Sequence, residues 1–205
     1  MTKLYYTPTS CGAASFIAAV AAGIHIDAEV VDIGTHKTAS GEDYYKINPK
    51  GNVPGLVLDD GTVLNEGAAV LQWIADQAPD TVAPAYGTSN RYLVQAALNY
   101  TASEVHASFG PLFSNSSPEL KTAAQEKIAK KLEYINDQVL KDRSFLVGDK
   151  FSIADSYLYI VLSWTSYVGV DLSPFPVVKA YFERIGALPV VQEAHAKMAT
   201  KPSST

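Results

Sequence analysis

Apolar and polar positions change their rhythm about eighty residues into the chain. Lys3 to Tyr6 is a short β-prone run closed by Thr7-Pro8-Thr9-Ser10, a turn that ends on a helix-capping residue. From Cys11 to Ala22 the chain is alanine-rich, with Phe16, Ile17 and Val20 at helical spacing, and Gly23 stops it. Ile26 to Val31 reads as a second strand, and the polar stretch Gly34 to Glu42 is too hydrophilic for core. Gly55 to Leu58 and Thr62 to Leu64 flank Asp59-Asp60-Gly61, a hairpin signature. Ala68 to Gln77 has helical spacing and stops at Ala78-Pro79. The order is βαβ, an irregular stretch, then ββα, which fits a small mixed sheet with helices on its faces.

Beyond Pro79 no strand pattern recurs. Thr81 to Thr88, with Pro84 and Gly87, reads as a linker. Asn90 to Phe113 is a long helical pattern ending near Pro111. Pro118 to Leu140 is a second, with a lysine- and glutamate-rich face opposite Ile128, Leu132 and Ile135. Phe151 to Val168 is an apolar, central helix. Pro176 to Gly186 and Pro189 to Lys197 each carry proline in the first turn, where its missing N–H costs nothing. Lys201 to Thr205 reads as a disordered tail. The domains expected are 1–79 (α/β), a linker 80–88, and an all-helical domain 89–205.

Composition narrows the function. The 205 residues include one cysteine, which excludes an intrachain disulfide and an all-cysteine metal or iron–sulfur site. A net charge of -5 argues against nucleic acid as a partner. No run of about 18 apolar residues suits a membrane span. The start, Met1-Thr2-Lys3, lacks the apolar stretch of a signal peptide, so the expected compartment is the cytoplasm. Four scattered histidines predict no metal site.

Three places carry candidate chemistry. A lone cysteine is ordinarily a small buried hydrophobe. Cys11, however, follows a strand and a proline turn and opens a helix, where free N–H groups and the helix dipole lower a thiol pKa. Without a second cysteine nearby, it needs an external thiol for exchange. Val53-Pro54 lies in Asn48-Pro49-Lys50-Gly51-Asn52-Val53-Pro54-Gly55, a constrained loop. A cis proline there would turn the Val53 amide and carbonyl toward an extended peptide ligand; an ordinary trans turn is the plainer alternative. Asn65-Glu66-Gly67 opens a helix, where Glu66 either favours the dipole or binds a ligand ammonium while helix N–H groups bind its carboxylate. Separately, Ser152-Ile153-Ala154-Asp155 has the form of a capping box.

Leu4-Tyr5-Tyr6 with Pro8 and Cys11, Asn48-Pro49-Lys50-Gly51 with Val53-Pro54, Asn65-Glu66-Gly67 and Leu71-Gln72-Trp73-Ile74-Ala75-Asp76 follow one another in order. Ser89-Asn90-Arg91-Tyr92, Ser103-Glu104-Val105-His106 and Ser152-Ile153-Ala154-Asp155 extend the series. Together they resemble a cytosolic glutathione transferase, and within that superfamily the bacterial beta class. The resemblance implies a thioredoxin-like N-terminal domain (βαβ-α-ββα), a helical-bundle C-terminal domain and a homodimer. It implies glutathione as cosubstrate, with no metal, and small electrophilic or hydrophobic second substrates in a detoxifying role. It also implies Cys11, Tyr6 and His106 at the reacting sulfur. Glutathione would be held by His36, Val53, Pro54, Glu66, Gly67 and Asn99, and Glu104 would approach a neighbouring subunit's site.

Two departures stand out. Gly12 and Phe16 occupy positions where the class carries a small hydroxyl residue and a histidine. His36, beside Lys37, replaces a lysine expected at the glycyl carboxylate. The expected function is transfer of glutathione to electrophiles, with thiol–disulfide exchange through Cys11. A non-catalytic carrier of glutathione or hydrophobic ligands is the alternative, as is a specialised glutathione-dependent isomerase or dehalogenase. His25 and His195 read as surface, Trp73 and Trp164 as core; Tyr157, Tyr159 and Tyr167 fit either core or the second-substrate pocket.

Overall fold

The computed structural model describes residues 1–200, so the tail 201–205 lies outside the described residues. Strands β1 (Lys3–Tyr6), β2 (Asp27–Asp32), β3 (Lys37–Thr38), β4 (Gly55–Val57) and β5 (Val63–Leu64) form one sheet in the order β3-β2-β1-β4-β5. β1 pairs parallel with β2 (Leu4 opposite Ala28) and antiparallel with β4 (Leu4 opposite Leu56). Helix α1 (Gly12–Ala21) links β1 to β2, and α2 (Gly67–Gln77) follows the hairpin. The small residues Gly12, Ala13, Ala14, Ala18 and Ala19 are all buried. They let α1 pack against α2 and against two helices of the second half.

Between β2 and β4 the polar stretch is not wholly irregular. It supplies the two-residue edge strand β3, followed by a single 3₁₀ turn at Tyr44–Lys46. Thr38 is buried there, its hydroxyl paired with Ser40, so a polar sequence still forms sheet at an edge.

The helical half comprises α3 (Ser89–Tyr100), α4 (Ala107–Phe113), α5 (Pro118–Tyr134), α6 (Ile153–Ser163), α7 (Thr165–Val168), α8 (Pro176–Gly186) and α9 (Pro189–Ala199). Between α3 and α4, Thr101–His106 forms a wide π turn that keeps one continuous helical run from Ser89 to Phe113. Pro111 therefore sits inside the last turn instead of ending the helix. A second π turn, Ile135–Val139, extends α5. The central apolar helix breaks at Trp164, giving α6 and α7 where one helix was expected. Every residue of α6 from Ile153 to Leu162 is buried.

One hydrophobic core runs through both halves, joining Leu4, Ile17, Leu56 and Ile74 to Leu98, Phe109, Leu158 and Tyr181. The segment between α2 and α3 is no slack tether: Val82 and Ala83 are buried, and the Val82 carbonyl accepts from Ile153 N at 2.8 Å. Arg91, buried on α3, reaches back to Asp76 at 2.7 Å and to the carbonyls of Gln72 and Pro84. Asp155 accepts from Ser152 N, Ser152 Oγ, Leu146 N and Tyr181 Oη at 2.7–2.9 Å, so the predicted capping box is also a hub tying α6 to α8.

Candidate active site

Two cavities meet where the halves touch. The polar one, about 260 Å³, is lined by Asn52, Val53, Pro54, Asn65, Glu66 and Gly67 on one side. Ala102, His106, Ala107 and Tyr157 line the other. The apolar one, about 630 Å³, is walled by Ile33, Phe109, Phe113, Trp164 and Tyr167 beside Thr9 and Ser10. Cys11, His106 and Ala107 line both, and so form the wall between them.

The polar cavity is built by loop chemistry. Asn48, fully buried, donates to the Asn52 carbonyl at 2.7 Å and to Asn52 Oδ1 at 3.0 Å. Its own Oδ1 accepts from Lys50 N and from Asn65 Nδ2, both at 3.2 Å. One side chain thus ties the Lys50–Asn52 loop to the start of α2. Gly51 takes φ +70°, and a Cβ there would lie 2.5 Å from the Tyr45 ring, so both backbone and contact favour glycine. The Val53–Pro54 peptide is cis. Glu66 precedes α2, whose first N–H groups have no helical partner. Its carboxylate pairs with Lys50 Nζ at 2.6 Å, both side chains largely exposed.

Cys11 is the N-cap of α1, as its position predicted, but its electrostatics differ from expectation. Burial pushes the thiol up to about 11, although the backbone N–H groups of Cys11 and Gly12 pull the other way; Glu66 adds a small upward push. The thiol donates to the Val53 carbonyl at 3.2 Å. Desolvation outweighs the helix end because the sulfur lies under the loop carrying Val53. Part of the helix end is also already used: Gly12 N donates to Ser10 Oγ at 3.2 Å, and that hydroxyl donates to the Thr7 carbonyl. Ser10 thereby supplies a hydroxyl one residue before Cys11, where the expected pattern has one just after it. A Cβ on Gly12 would come within 3.2 Å of Tyr6 Cβ.

The other expected residues divide. His106 lies at the end of the π turn, its Nδ1 2.8 Å from Tyr157 Oη and its ring edge-on to Trp164 at 4.8 Å. Burial lowers its pKa. Tyr6 lines neither cavity: it is buried and stacked on Phe16 with ring centroids 5.0 Å apart, and burial raises its pKa. Phe16, found where a histidine was expected, stacks on Tyr6 at the edge of the core. His36 also lines neither cavity, yet its Nδ1 reaches the Gly51 carbonyl at 3.1 Å beside the polar one, its ring against Tyr45. Asn99 is exposed and absent from both walls. Seven residues apart, Asn99 and His106 would share one face of a regular α-helix. The π turn advances each residue by less than a regular turn, and over its six residues the two side chains fall out of phase. Glu104 pairs within the chain, with Lys131 at 2.6 Å.

Sequence reasoning understated three residues. Trp164 is core, as expected, but also walls the apolar cavity and donates from Nε1 to the Thr9 carbonyl at 3.0 Å, pinning the loop before Cys11. Tyr157, left by the sequence between core and the second-substrate pocket, faces the polar cavity instead. Asn48 was visible only as part of a loop motif. His195, expected at the surface, is half-buried and bonded through Nε2 to Tyr159 Oη at 3.0 Å. Among the described residues no cluster of three or more His, Cys, Asp or Glu could hold a metal, and no helix is long and apolar enough to cross a membrane.

Residues 13–77 match the glutathione S-transferase N-terminal domain and residues 100–189 the glutathione S-transferase C-terminal domain. The chain is 40% identical over 195 residues to glutathione S-transferase GstA of Escherichia coli O157:H7, covering 94% of this chain and 96% of that one. It superposes on a sphingomonad glutathione S-transferase solved with glutathione at a TM-score of 0.91 and 39% identity, over 97% of this chain and 100% of that one. A beta class enzyme of Sphingomonas chungbukensis gives a TM-score of 0.90 and 40% identity, over 96% and 98%. With both halves matched in order along one fold, the chain belongs to the glutathione S-transferase family.

Proposed function

We propose that the protein binds glutathione in the polar cavity and transfers it to an electrophile held in the apolar one. The observation that carries this reading is the shared wall: Cys11 and His106 face a peptide-lined cavity on one side and an aromatic-lined cavity on the other. A ligand sulfur at that wall reaches both. The cysteinyl unit of glutathione would pair with the Val53 main chain beside Pro54, as an added strand does. Its γ-glutamyl end would lie at Glu66 and Gly67, the carboxylate on the N–H groups opening α2. His36 would stand at the glycyl end. Residues 1–79 form the glutathione-binding domain in this reading, and the helical domain from residue 89 carries the second-substrate cavity.

Exchange through Cys11 is the second activity. The Cys11 thiolate attacks the glutathionyl sulfur of a mixed disulfide, which leaves the substrate thiolate to be protonated. A second glutathione thiolate then attacks the Cys11-bound sulfur, releasing glutathione disulfide and restoring Cys11. Because burial holds the thiol protonated at neutral pH, this channel opens at alkaline pH, whereas conjugation uses the sulfur of glutathione itself.

A homodimer in the cytoplasm completes the proposal. Tyr92 and Leu93 on α3 are large, apolar and more than half exposed, as a subunit face would be.

Steady-state turnover with glutathione and an aromatic halide, beside reduction of a glutathione mixed disulfide, tests the reading. Cys11→Ala should abolish the second reaction and spare most of the first. Full disulfide reduction by that variant excludes Cys11 as nucleophile. Tight glutathione binding without any turnover would make the protein a carrier.

A further inference from the structure

Tyr157 lines the glutathione cavity as a titratable group to which the proposed reaction gives no role. Its hydroxyl has one hydrogen-bond partner among the described residues, His106 Nδ1 at 2.8 Å. The two rings meet edge to face at 82°. The tyrosine cannot drift: it lies on the buried helix α6, whose Ser156 donates to the Ala14 carbonyl on α1 at 2.6 Å. The same α1 carries Cys11 at its N-cap. A Cβ on Gly67 would stand 3.8 Å from the Tyr157 hydroxyl, so this side chain forms the floor between the start of α2 and the histidine.

We propose that Tyr157 is a positioning residue that donates its hydroxyl proton to His106 Nδ1 and so fixes the proton of the neutral imidazole on Nε2, where it faces the bound glutathione sulfur. Where the unpaired proton would be left favours one direction of the bond. Were the histidine to donate from Nδ1, the tyrosine proton would have no acceptor among the described residues in a largely desolvated place. With the tyrosine donating, its proton is paired on Nδ1 and the remaining proton stands on Nε2, free for a ligand at the cavity wall. Nε2 has no protein partner among the described residues, and the ring lines both cavities. A neutral Nε2–H facing a sulfur anion is a donor, which stabilises thiolate without placing a second charge in the site.

The titratable groups facing this pair are few: Cys11 at the N-cap of α1, Glu66 before α2, and Tyr167 across the apolar cavity. Glu104, on the histidine's own element, is engaged by Lys131. Burial lowers the pKa of His106 and raises that of Tyr157, so at neutral pH the pair is an uncharged imidazole and an intact phenol. That is the protonation state the donor role needs.

This inference rests on the proposed glutathione sulfur at the wall for its consequence, though not for its geometry. The tautomer is read first, in the ligand-free protein, from imidazole nitrogen shifts in long-range proton–nitrogen spectra. The His106 signals are identified by their loss in His106→Gln. The expected spectrum shows His106 as the Nε2–H form, and Tyr157→Phe, which removes only the hydroxyl, as a mixture of both forms. A dominant Nδ1–H form in the parent overturns the proposal. The consequence is read from the pH dependence of kcat/KM for conjugation. Tyr157→Phe should raise the acid-limb midpoint by a few tenths of a unit, a roughly two- to threefold loss on that limb, and combining it with His106→Gln should add little to His106→Gln alone. A superimposable pH profile with a uniformly lower rate would mark a packing role and reject the proposal. A parent that shows the Nε2–H form but neither binds nor turns over glutathione would reject the proposed function while sustaining the tautomer assignment.

Discussion

The Cys11 thiol donates to the Val53 carbonyl oxygen at 3.2 Å, across 42 residues of sequence. The same carbonyl belongs to the main-chain edge proposed to receive the ligand. In the free protein the thiol is therefore both desolvated and engaged as a donor, and either condition alone opposes its ionisation. Alkylation by iodoacetamide, followed by mass spectrometry, should be about 100-fold slower at pH 7.5 than for an unstructured cysteine peptide. Its rate should still be rising at pH 10, since the thiol titrates at about 11. A plateau below pH 8 would contradict the desolvated thiol.

His36 points one ring nitrogen at the Gly51 carbonyl. An acceptor there requires Nδ1 to donate, so in the neutral ring Nε2 has no proton to offer a ligand carboxylate. His36→Lys supplies a permanent cation at the same place. It should tighten glutathione binding three- to tenfold by titration calorimetry at low ionic strength, with most of the gain lost at 0.5 M salt. Unchanged affinity would place the glycyl carboxylate away from residue 36.

Trp164 joins the two halves through its bond to the Thr9 carbonyl while its ring walls the apolar cavity. Trp164→Phe keeps an aromatic ring and leaves that carbonyl unpaired, a loss of about 1–2 kcal/mol and a fall in Tm of roughly 2–8 °C. KM for an aromatic electrophile should rise, while KM for glutathione stays within a factor of two. Equal effects on both would show that the indole organises the whole junction.

Asp155 tests the fold. It is buried and accepts four hydrogen bonds, from Ser152 twice, Leu146 and Tyr181. Asp155→Asn turns an amide donor toward groups that are themselves donors. It should destabilise by about 3 kcal/mol, well beyond a lost helix cap, lowering Tm by roughly 6–12 °C. Thermal unfolding within 2 °C of the parent would reduce the cluster to a simple cap.

The elements were largely legible in the sequence because each was locally marked. Asp59-Asp60-Gly61 announced the hairpin, Pro118, Pro176 and Pro189 announced helix starts, and Ser152 with Asp155 announced the central helix. The loop that builds the polar cavity was equally visible, since its prolines and glycines can serve few other ends. What escaped depended on phase and depth. The π turn at Thr101–His106 has no local signature, and it separates His106 from Asn99. Tyr6 sits at a strand end, a position that suggests exposure, but its ring stacks on Phe16, and Cys11, at the wall of both cavities, is held against the Val53 carbonyl. Trp164 lies in a run of apolar residues where nothing distinguishes a side chain that also reaches a cavity, and for Tyr157 the same run did not show which cavity it lines.

In the proposed complex, the ion pair between Lys50 and Glu66 would make binding at that end an exchange of ammonium groups. The lysine already occupies the carboxylate that an incoming α-ammonium would take, and both partners are exposed enough for the pair to be weak. If the lysine yields its place to the arriving ammonium, the number of ions held from solution changes little. Salt screens the departing pair as much as the arriving one. On the proposed binding mode, the γ-glutamyl end would therefore select its ligand by shape and hydrogen bonding, with charge passing through the site unchanged.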